Sequence, residues 1–368
     1  MSTITEPLSD IFKLSDCIEY VGNPTPEDSD FTYKLIWNVC IDGIDVWQEE
    51  GKLPEGSGAN IPITISGILS CLDRFKTRCP ELSDTLFYDE NAKVEVVIKY
   101  GHIKTSKEGC ESVVEITDQT SPITVIYSNC QFYEEEDLTG IYLMNDLPEV
   151  KKVCADQCDW ITLCSIGGDM ITLTGVDVDG TVNIQTIFIS DGVAVIPSGP
   201  KNLEYFTGMN LSYYVFEING KEYKYKTCNC SCCDEGKMMI AYQQAKGGWT
   251  SESFEWCEVQ SGVSRTYNEI CKASKVSNNN AAYRLFENTR SWEVISLKKE
   301  ITITESNKCY WKALALSSSF KGNIRCGPQN KLYPILINIS NFDYSTGVKE
   351  IELTGYYGID LLTFPRSQ

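Results

Sequence analysis

The stretch "FTYKLIWNVCIDGIDVWQEE" (31–50) decides the fold class, because it contains two strand-like runs joined by a turn. Large apolar side chains occupy every second position from 31 to 39, and this period of two predicts a β-strand with one buried face. Asp42 and Gly43 follow, and they suit the positive φ angles of a tight hairpin turn. The stretch therefore predicts a β-hairpin.

Short β runs of the same kind fill the region from 141 to 226. Strands that recur at this spacing, with turn residues between them, predict an antiparallel sandwich or barrel. The turn dipeptides are Gly167-Gly168, Asp179-Gly180, Asp191-Gly192 and Asn219-Gly220.

Two segments show helical spacing of apolar residues instead. "TISGILSCLDRFK" (64–76) predicts a short helix with Ser66 as its N-cap. "TESNKCYWKALALSSSF" (304–320) predicts a second helix, with Thr304 as N-cap and Glu305 in the first turn. The expected fold is mainly β, with two or three β-sandwich or barrel-like domains and a few short helices.

Changes of composition along the chain suggest five segments. The first is polar and contains proline, which indicates a docking or flexible arm. The expected segments are an N-terminal arm (1–30), an N-terminal β domain with a short helix (31–140), a central β-sandwich domain (141–227), a Cys-rich junction (228–236) and a C-terminal β domain with one helix (237–368).

The charge of the chain restricts its partners. The 51 acidic and 32 basic residues give a net charge of −19. Such a surface repels a phosphate backbone, so we expect no sequence-specific nucleic-acid binding, although an acidic lumen would let nucleic acid slide through. The sequence lacks an apolar run of membrane-spanning length and a signal-peptide pattern at its start, so we expect no membrane and a cytoplasmic site of synthesis.

The stretch "TCNCSCCDEG" (227–236) places four cysteines close together in a chain of 17 cysteines. Cytoplasmic thiols stay reduced, so disulfides are not expected by default. Four ligands from one such segment are too tightly spaced for tetrahedral zinc, and a site would need a second pair of cysteines, as in "CADQC" (154–158). We favour a Cys-rich junction without metal or cofactor over a zinc site. The candidate ligands of that zinc site are Cys228, Cys230, Cys232, Cys233, Cys154 and Cys158.

Other motifs that resemble catalytic or ligand-binding sites have simpler explanations. His102, the single histidine, follows a strand-like run without a nucleophile motif, which indicates a turn histidine. "DVDGTVN" (177–183) lacks the spacing of a calcium loop and predicts a hairpin turn. "GGW" (247–249) is not followed by a phosphate-loop lysine and indicates an architectural role, and the acidic run 134–137 is typical of a solvated face. No catalytic residues emerge, and we expect the protein not to be an enzyme.

Three stretches in a fixed order carry a resemblance to a known family. They are "FTYKLIWNVCIDGIDVWQEEGKLPEGSGANIPITISGILSCLDRF" (31–75), "IYLMNDLPEVKKVCADQCDWITLCS" (141–165) and "MMIAYQQAKGGWTSESFEW" (238–256). Their succession is similar to that in virion proteins of tailed phages and prophages of Bacteroidota, including crAss-like phages. The chain departs from the pattern before the double glycine, where Tyr242-Gln243-Gln244 stands in place of a tryptophan and an asparagine, and its extra cysteines are not part of the pattern.

The resemblance implies a structural subunit of the tail, tail hub or neck and ring assembly. It also implies several copies around the tail axis, contacts with other copies in a symmetric ring and with other virion proteins, and a location in the virion, which is assembled in the bacterial host cytoplasm. The family has no catalytic residues, so the resemblance assigns none to this chain.

Two alternatives belong to other functional classes. One is a tail-tip β-sandwich protein that binds a receptor or glycan, with aromatic loops such as "GYYGID" (355–360) as stacking surfaces. The other is a zinc-dependent enzyme centred on the cysteine cluster, which would bind about one zinc per chain.

Overall fold

The computed structural model describes residues 3–7, 10–23, 30–51, 61–108, 112–128, 140–228, 237–269, 285–317, 319–323, 332–339 and 342–363. Over 256–269, 285–294 and 356–363 the description is of the backbone. The described residues form 24 strands and two α-helices, which confirms the predicted mainly β class with several β domains.

Strands dominate every part of the chain. The elements before residue 140 are β1 (Thr3–Thr5), β2 (Ile11–Lys13), β3 (Glu19–Asn23), β4 (Phe31–Ile41), β5 (Ile44–Gly51), β6 (Ile61–Thr64), α1 (Ser66–Leu69), β7 (Phe87–Tyr88), β8 (Lys93–Ser106), β9 (Ser112–Gln119) and β10 (Ile123–Ile126). The central ones are β11 (Ile141–Leu143), β12 (Val150–Cys154), β13 (Trp160–Ser165), β14 (Asp169–Asp177), β15 (Val182–Ile189), β16 (Gly192–Pro197), a 3-10 turn (Glu204–Phe206), β17 (Leu211–Ile218) and β18 (Lys221–Cys228). The last are β19 (Lys237–Gln243), β20 (Trp249–Glu269), β21 (Leu285–Ile303), α2 (Lys308–Leu316), β22 (Phe320–Asn323), β23 (Leu332–Ile339) and β24 (Gly347–Thr363).

The N-terminal domain consists of two sheets that share one apolar core. The smaller sheet has the order β1-β3-β6, and the larger has the order β2-β10-β8-β4-β5 with β9 paired to β8. The hairpin predicted from the opening stretch joins β4 to β5, and Asp42 and Gly43 have φ angles of 48° and 79°. The alternation of that stretch thus places one face of β4 in the core.

Residues 1–30 differ from the expected arm, because three short strands in this segment join the two N-terminal sheets. Ile18 and Tyr20 are fully buried in the core, and β2 pairs in parallel with β10. The polar composition of the segment suggested exposure, but two buried apolar side chains and backbone pairing are enough to anchor it.

The central domain is a sandwich of two sheets around a second core. One sheet has the order β11-β13-β16-β7, and the other has the order β12-β18-β17-β14-β15. The strand β7 precedes the expected boundary at residue 140, yet it pairs with β16 through Phe87 and Val195. The N-terminal part of the chain therefore completes a sheet of the central domain.

The C-terminal domain is a closed barrel with the order β19-β20-β21-β24-β23-β22. The helix α2 packs onto the barrel core with Tyr310, Trp311 and Leu314. Its predicted first residue is displaced, because residues 304–307 form a turn in which the Thr304 amide donates to Asn307 Oδ1. The helix begins at Lys308, three residues after the predicted start at Glu305.

The other predicted helix is much shorter than its apolar spacing suggests. α1 ends at Leu69, and Ile65 rather than Ser66 is its N-cap residue. Ser70 Oγ donates to the Gly67 carbonyl, and the chain continues in turns as far as Phe75. Among the described helices, none has the length and apolar character needed to cross a membrane.

Candidate functional site

Four ionisable side chains lie together where the central sandwich meets the barrel. Three of them are almost completely buried, and the fourth is 24% exposed. Buried charges are tolerated only when they are paired and hydrogen-bonded. The ion pairs and hydrogen bonds of these four side chains therefore indicate the role of the region. The four are Lys151 on β12, Asp159 directly before β13, Glu252 on β20 and Lys299 on β21.

The turn between β12 and β13 positions Asp159. Gln157 closes this turn. Its backbone amide donates to the Cys154 carbonyl (3.1 Å), and its side-chain Oε1 accepts from the Cys154 backbone amide (3.2 Å). The Asn202 side chain holds the other end by donating to the Asp159 carbonyl (3.1 Å). The carboxylate is therefore fixed toward the neighbouring barrel.

Lys151 and Asp159 meet Thr250 of the barrel in a closed set of hydrogen bonds. Lys151 Nζ donates to Asp159 Oδ2 and to Thr250 Oγ1, both at 2.8 Å. Thr250 Oγ1 donates in turn to Asp159 Oδ1 at 2.9 Å, and the Ser251 amide donates to the same oxygen at 2.7 Å. Both oxygens of the Asp159 carboxylate are thus used, one of them entirely by the barrel.

Glu252 accepts the remaining hydrogen bonds of the network. Lys299 Nζ donates to its Oε2 and the Tyr310 hydroxyl donates to its Oε1, while Lys151 Nζ lies 4.0 Å from Oε1. Burial alone would raise the pKa of Glu252, but the charges of Lys299 and Lys151 and the two hydrogen bonds hold this pKa below its usual value. Glu252 is therefore an anion that links β20, β21, α2 and β12.

The same environment fixes the protonation of Tyr310. Burial raises the pKa of the phenol well above its usual value, and the nearby Glu252 charge raises it further. Tyr310 therefore remains a neutral hydrogen-bond donor. Two lysines and two carboxylates balance one another, so the network suits a permanent joint between domains better than proton transfer.

A second part of the joint uses the double glycine. The Gly248 amide donates to the Met144 carbonyl (2.8 Å), and Asn145 Nδ2 donates to the Trp249 carbonyl (3.0 Å). A Cβ on Gly248 would lie 2.4 Å from the Met144 carbonyl oxygen, and a Cβ on Gly247 would lie 2.2 Å from that of Tyr127. Only glycine allows these backbones to approach so closely.

Two cavities adjoin the joint and share Tyr310 as a wall. One has a volume of about 370 Å³ and is bordered by Glu252, Lys299 and Trp311. The other has a volume of about 540 Å³ and contains the ion pair between Lys246 Nζ and Asp146 Oδ1 (3.4 Å). Lys299 is the most exposed of the four charges.

The structure brings together some of the cysteines considered as zinc ligands. Cys154 and Cys228 are register partners on the parallel strands β12 and β18, and Cys158 belongs to the same buried cluster. Cys228 is disulfide-bonded, which differs from the expectation of reduced thiols. The other three candidates, Cys230, Cys232 and Cys233, lie outside the described residues. Within the described part of the chain, no three metal-ligating side chains form a group that could hold an ion.

The remaining candidates lie away from the joint. His102 is inside β8 rather than in a turn, because the strand continues past a bulge at Gly101, and its Nε2 is 3.4 Å from Glu115 Oε2. The stretch 177–183 contains the predicted hairpin turn, which joins the end of β14 to the start of β15, with Gly180 at a φ of 87°. The acidic run 134–137 lies outside the described residues, as do the side chains of 356–360.

The sequence patterns did not indicate the four charges of the joint. One signal was present, because Glu252 stands two residues before Phe254, so a period of two places both on the buried face of β20. A charged residue on a buried face calls for a partner, but its partners come from distant strands that the sequence does not align.

Comparisons of the sequence with models of known protein families and with curated proteins find no match in either.

Proposed function

We propose that the chain is a structural subunit of a phage virion, present in several copies in the tail, tail hub or neck and ring assembly. It acts through contacts with other copies and with other virion proteins, and not through catalysis. The order of the three stretches at 31–75, 141–165 and 238–256 supports the choice of family.

The observation that carries the structural role is the buried polar joint. Lys151 and Asp159 of the central sandwich form hydrogen bonds with Thr250 of the barrel, and Glu252 on the same strand as Thr250 connects β21 and α2 to them. A network in which buried charges satisfy one another fixes the relative orientation of two domains. A subunit of a ring needs such a fixed orientation, since small angular errors add up around a closed assembly.

The long strands of the barrel also support a role in assembly. β19 pairs with β20 as far as Glu255, and β23 reaches Tyr356 on β24. Beyond these points β20 pairs with β21 as far as Glu269 and Leu285, and β21 pairs with β24 as far as Thr363. At ~3.3 Å per residue, this extension spans roughly 45 Å along β20 and roughly 23 Å along β24, which suits contact with a neighbouring subunit.

Particles purified from a producing host test the proposal. We expect mass spectrometry to detect the chain in the particles after density-gradient purification, in a fixed ratio to the other virion proteins. Cryo-electron microscopy of the particles should then show β-rich density of this size repeated around the tail axis. Absence of the chain from washed particles, with abundant chain in the lysate, would contradict the proposal.

A further inference from the structure

The outer face of the sheet β12-β18-β17-β14-β15 carries large exposed apolar side chains, with threonines between them, along its last two strands. Met170 and Phe188 are register partners on β14 and β15, and their side chains are 70% and 63% exposed. Ile184, which is also 63% exposed, lies opposite Thr174 two rows further along the same face, beyond the pair Thr172 and Thr186. Antiparallel sheets with one solvated face normally carry polar residues there.

The inner face of the same two strands is apolar as well. Ile171, Leu173, Ile187 and Ile189 are buried in the central core. Strands that are apolar on both faces are typical of sheets covered on both sides. The strand β15 is also the edge of its sheet, and its sequence "VNIQTIFI" contains neither the charge nor the proline that protects exposed edges. The face is therefore built to be covered.

Two lysines lie on the other side of this outer face, two rows from the exposed register partners Glu217 and Glu222. Lys152 on β12 and Lys226 on β18 are register partners, and both are exposed. Lys226 is also the register partner of Tyr213 on β17, and Lys224 Nζ lies 3.6 Å from the centre of the Tyr213 ring. Among the described residues, no carboxylate forms an ion pair with Lys152 or Lys226. Two adjacent cations of this kind favour an acidic partner.

We infer that this face, from Lys152 and Lys226 across to Ile184 and Phe188, binds an acidic surface of a second copy of this chain. A net charge of −19 makes the rest of each copy a suitable partner for the lysines. The inference rests on the proposed role as a multi-copy subunit, and it names the surface by which copies meet.

The exposed apolar area is sufficient for such an interface. The side chains Met170, Val182, Ile184 and Phe188, all more than half exposed, together present apolar surface on the order of 400 Å². A standard interface buries about 800 Å² per partner, of which roughly 60% is apolar. Together with the neighbouring Tyr213, these four side chains approach the apolar area of one partner in such an interface.

Sedimentation velocity of the purified full chain tests the inference, with two patch variants and two controls. Phe188→Glu places a charge in the apolar part, and Lys226→Glu reverses a charge in the basic part. Ile44→Glu is the matched control for the first, because Ile44 is 62% exposed on β5 of the N-terminal domain. Lys201→Glu is the control for the second, since Lys201 is exposed outside the patch. All four positions are on the surface, and circular dichroism checks that each variant is folded.

We expect the wild type to form dimers or larger species between about 1 and 100 μM. Each patch variant should lower the association constant at least ~10-fold, and each control less than ~2-fold. A wild type that stays monomeric overturns the inference, as does assembly of the patch variants at wild-type strength. The latter result, with the chain present in purified particles, would leave the proposed virion role intact, whereas absence from particles would remove that role.

Discussion

Lys151 and Asp159 form an ion pair with an Nζ–Oδ2 distance of 2.8 Å, and their side chains are 2% and 0% exposed. Both residues belong to the central sandwich, but Thr250 of the barrel accepts from the first and donates to the second. The barrel therefore completes the solvation of a charge pair that the sandwich alone would leave partly unsatisfied. This makes the polar joint between the two domains a condition for the stability of each.

Replacing Lys151 by methionine should destabilise the chain strongly. The change leaves Asp159 buried without its cation, and loss of one partner of a buried pair lowers the free energy of unfolding by about 3–5 kcal/mol. Urea unfolding followed by circular dichroism measures the effect. Lys99→Met is the control, because the Lys99–Asp45 pair (2.8 Å) is exposed to solvent and should contribute far less to stability. Equal losses in the two variants would contradict the role given to the buried pair.

The stability of the chain should depend on pH through Glu252. Its folded-state pKa is lower than its usual value of 4.5, so its ionised form contributes stability that is present above this value and is lost as pH falls through the folded-state pKa. We expect the urea midpoint of the wild type to fall between about pH 5 and pH 3 more steeply than that of Glu252→Gln. Parallel curves for the two proteins would show that Glu252 has the same pKa folded and unfolded.

The double glycine should not tolerate a methyl group. Gly247 has a φ of 98°, and its added Cβ would lie 2.2 Å from the Tyr127 carbonyl oxygen. Gly180 has a similar φ of 87° with nothing within 4 Å of its Cβ, so it is a matched control for backbone strain alone. We expect Gly180→Ala to reduce the free energy of unfolding by about 1 kcal/mol, which lowers the melting temperature slightly. Gly247→Ala should reduce the free energy of unfolding by at least about twice as much. Similar melting temperatures for the two variants would argue against the close approach.

The buried thiols should resist alkylation. Burial raises the pKa of the Cys79 thiol to about 11 and that of Cys164 to about 12, so at pH 8 both remain protonated and unreactive. Cys71 and Cys309 are exposed. Iodoacetamide treatment of the folded chain at about pH 8, followed by peptide mapping, should modify Cys71 and Cys309 well before Cys164. Modification of Cys164 at the rate of Cys71 would mean that the region opens readily.

Local patterns in the sequence were sufficient for part of the strands and turns. The alternation from Phe31 to Val39 and the Asp42-Gly43 turn specify the β4–β5 hairpin without help from the rest of the chain. The signals for the helix 308–316 were also local, although competition from the Asn307 side chain moved its start. These features depend on neighbours in sequence, which is why periodicity detects them.

The joint could not be predicted in the same way. Lys151 and Thr250 are distant in sequence, and nothing local in "VKKVC" distinguishes the buried lysine from the exposed Lys152 beside it. The arm expected at 1–30 differs for a similar reason, since Ile18 and Tyr20 are buried by strands that come later in the chain. The burial of such residues depends on contacts with distant parts of the chain, which the composition of a segment does not reveal.

The short strand β7 has a consequence for how the chain folds. Tyr88 and Ala194 are register partners, and the Tyr88 hydroxyl also accepts from the Ser190 amide (2.8 Å) across 102 residues of chain. The sheet to which β16 belongs therefore closes only after a segment made early in synthesis returns to it, and long-range closure of this kind slows folding. A nascent chain released before the central region is complete would carry β7 without its partner, while a fragment beginning at residue 140 would expose the edge of β16 to pairing with other chains.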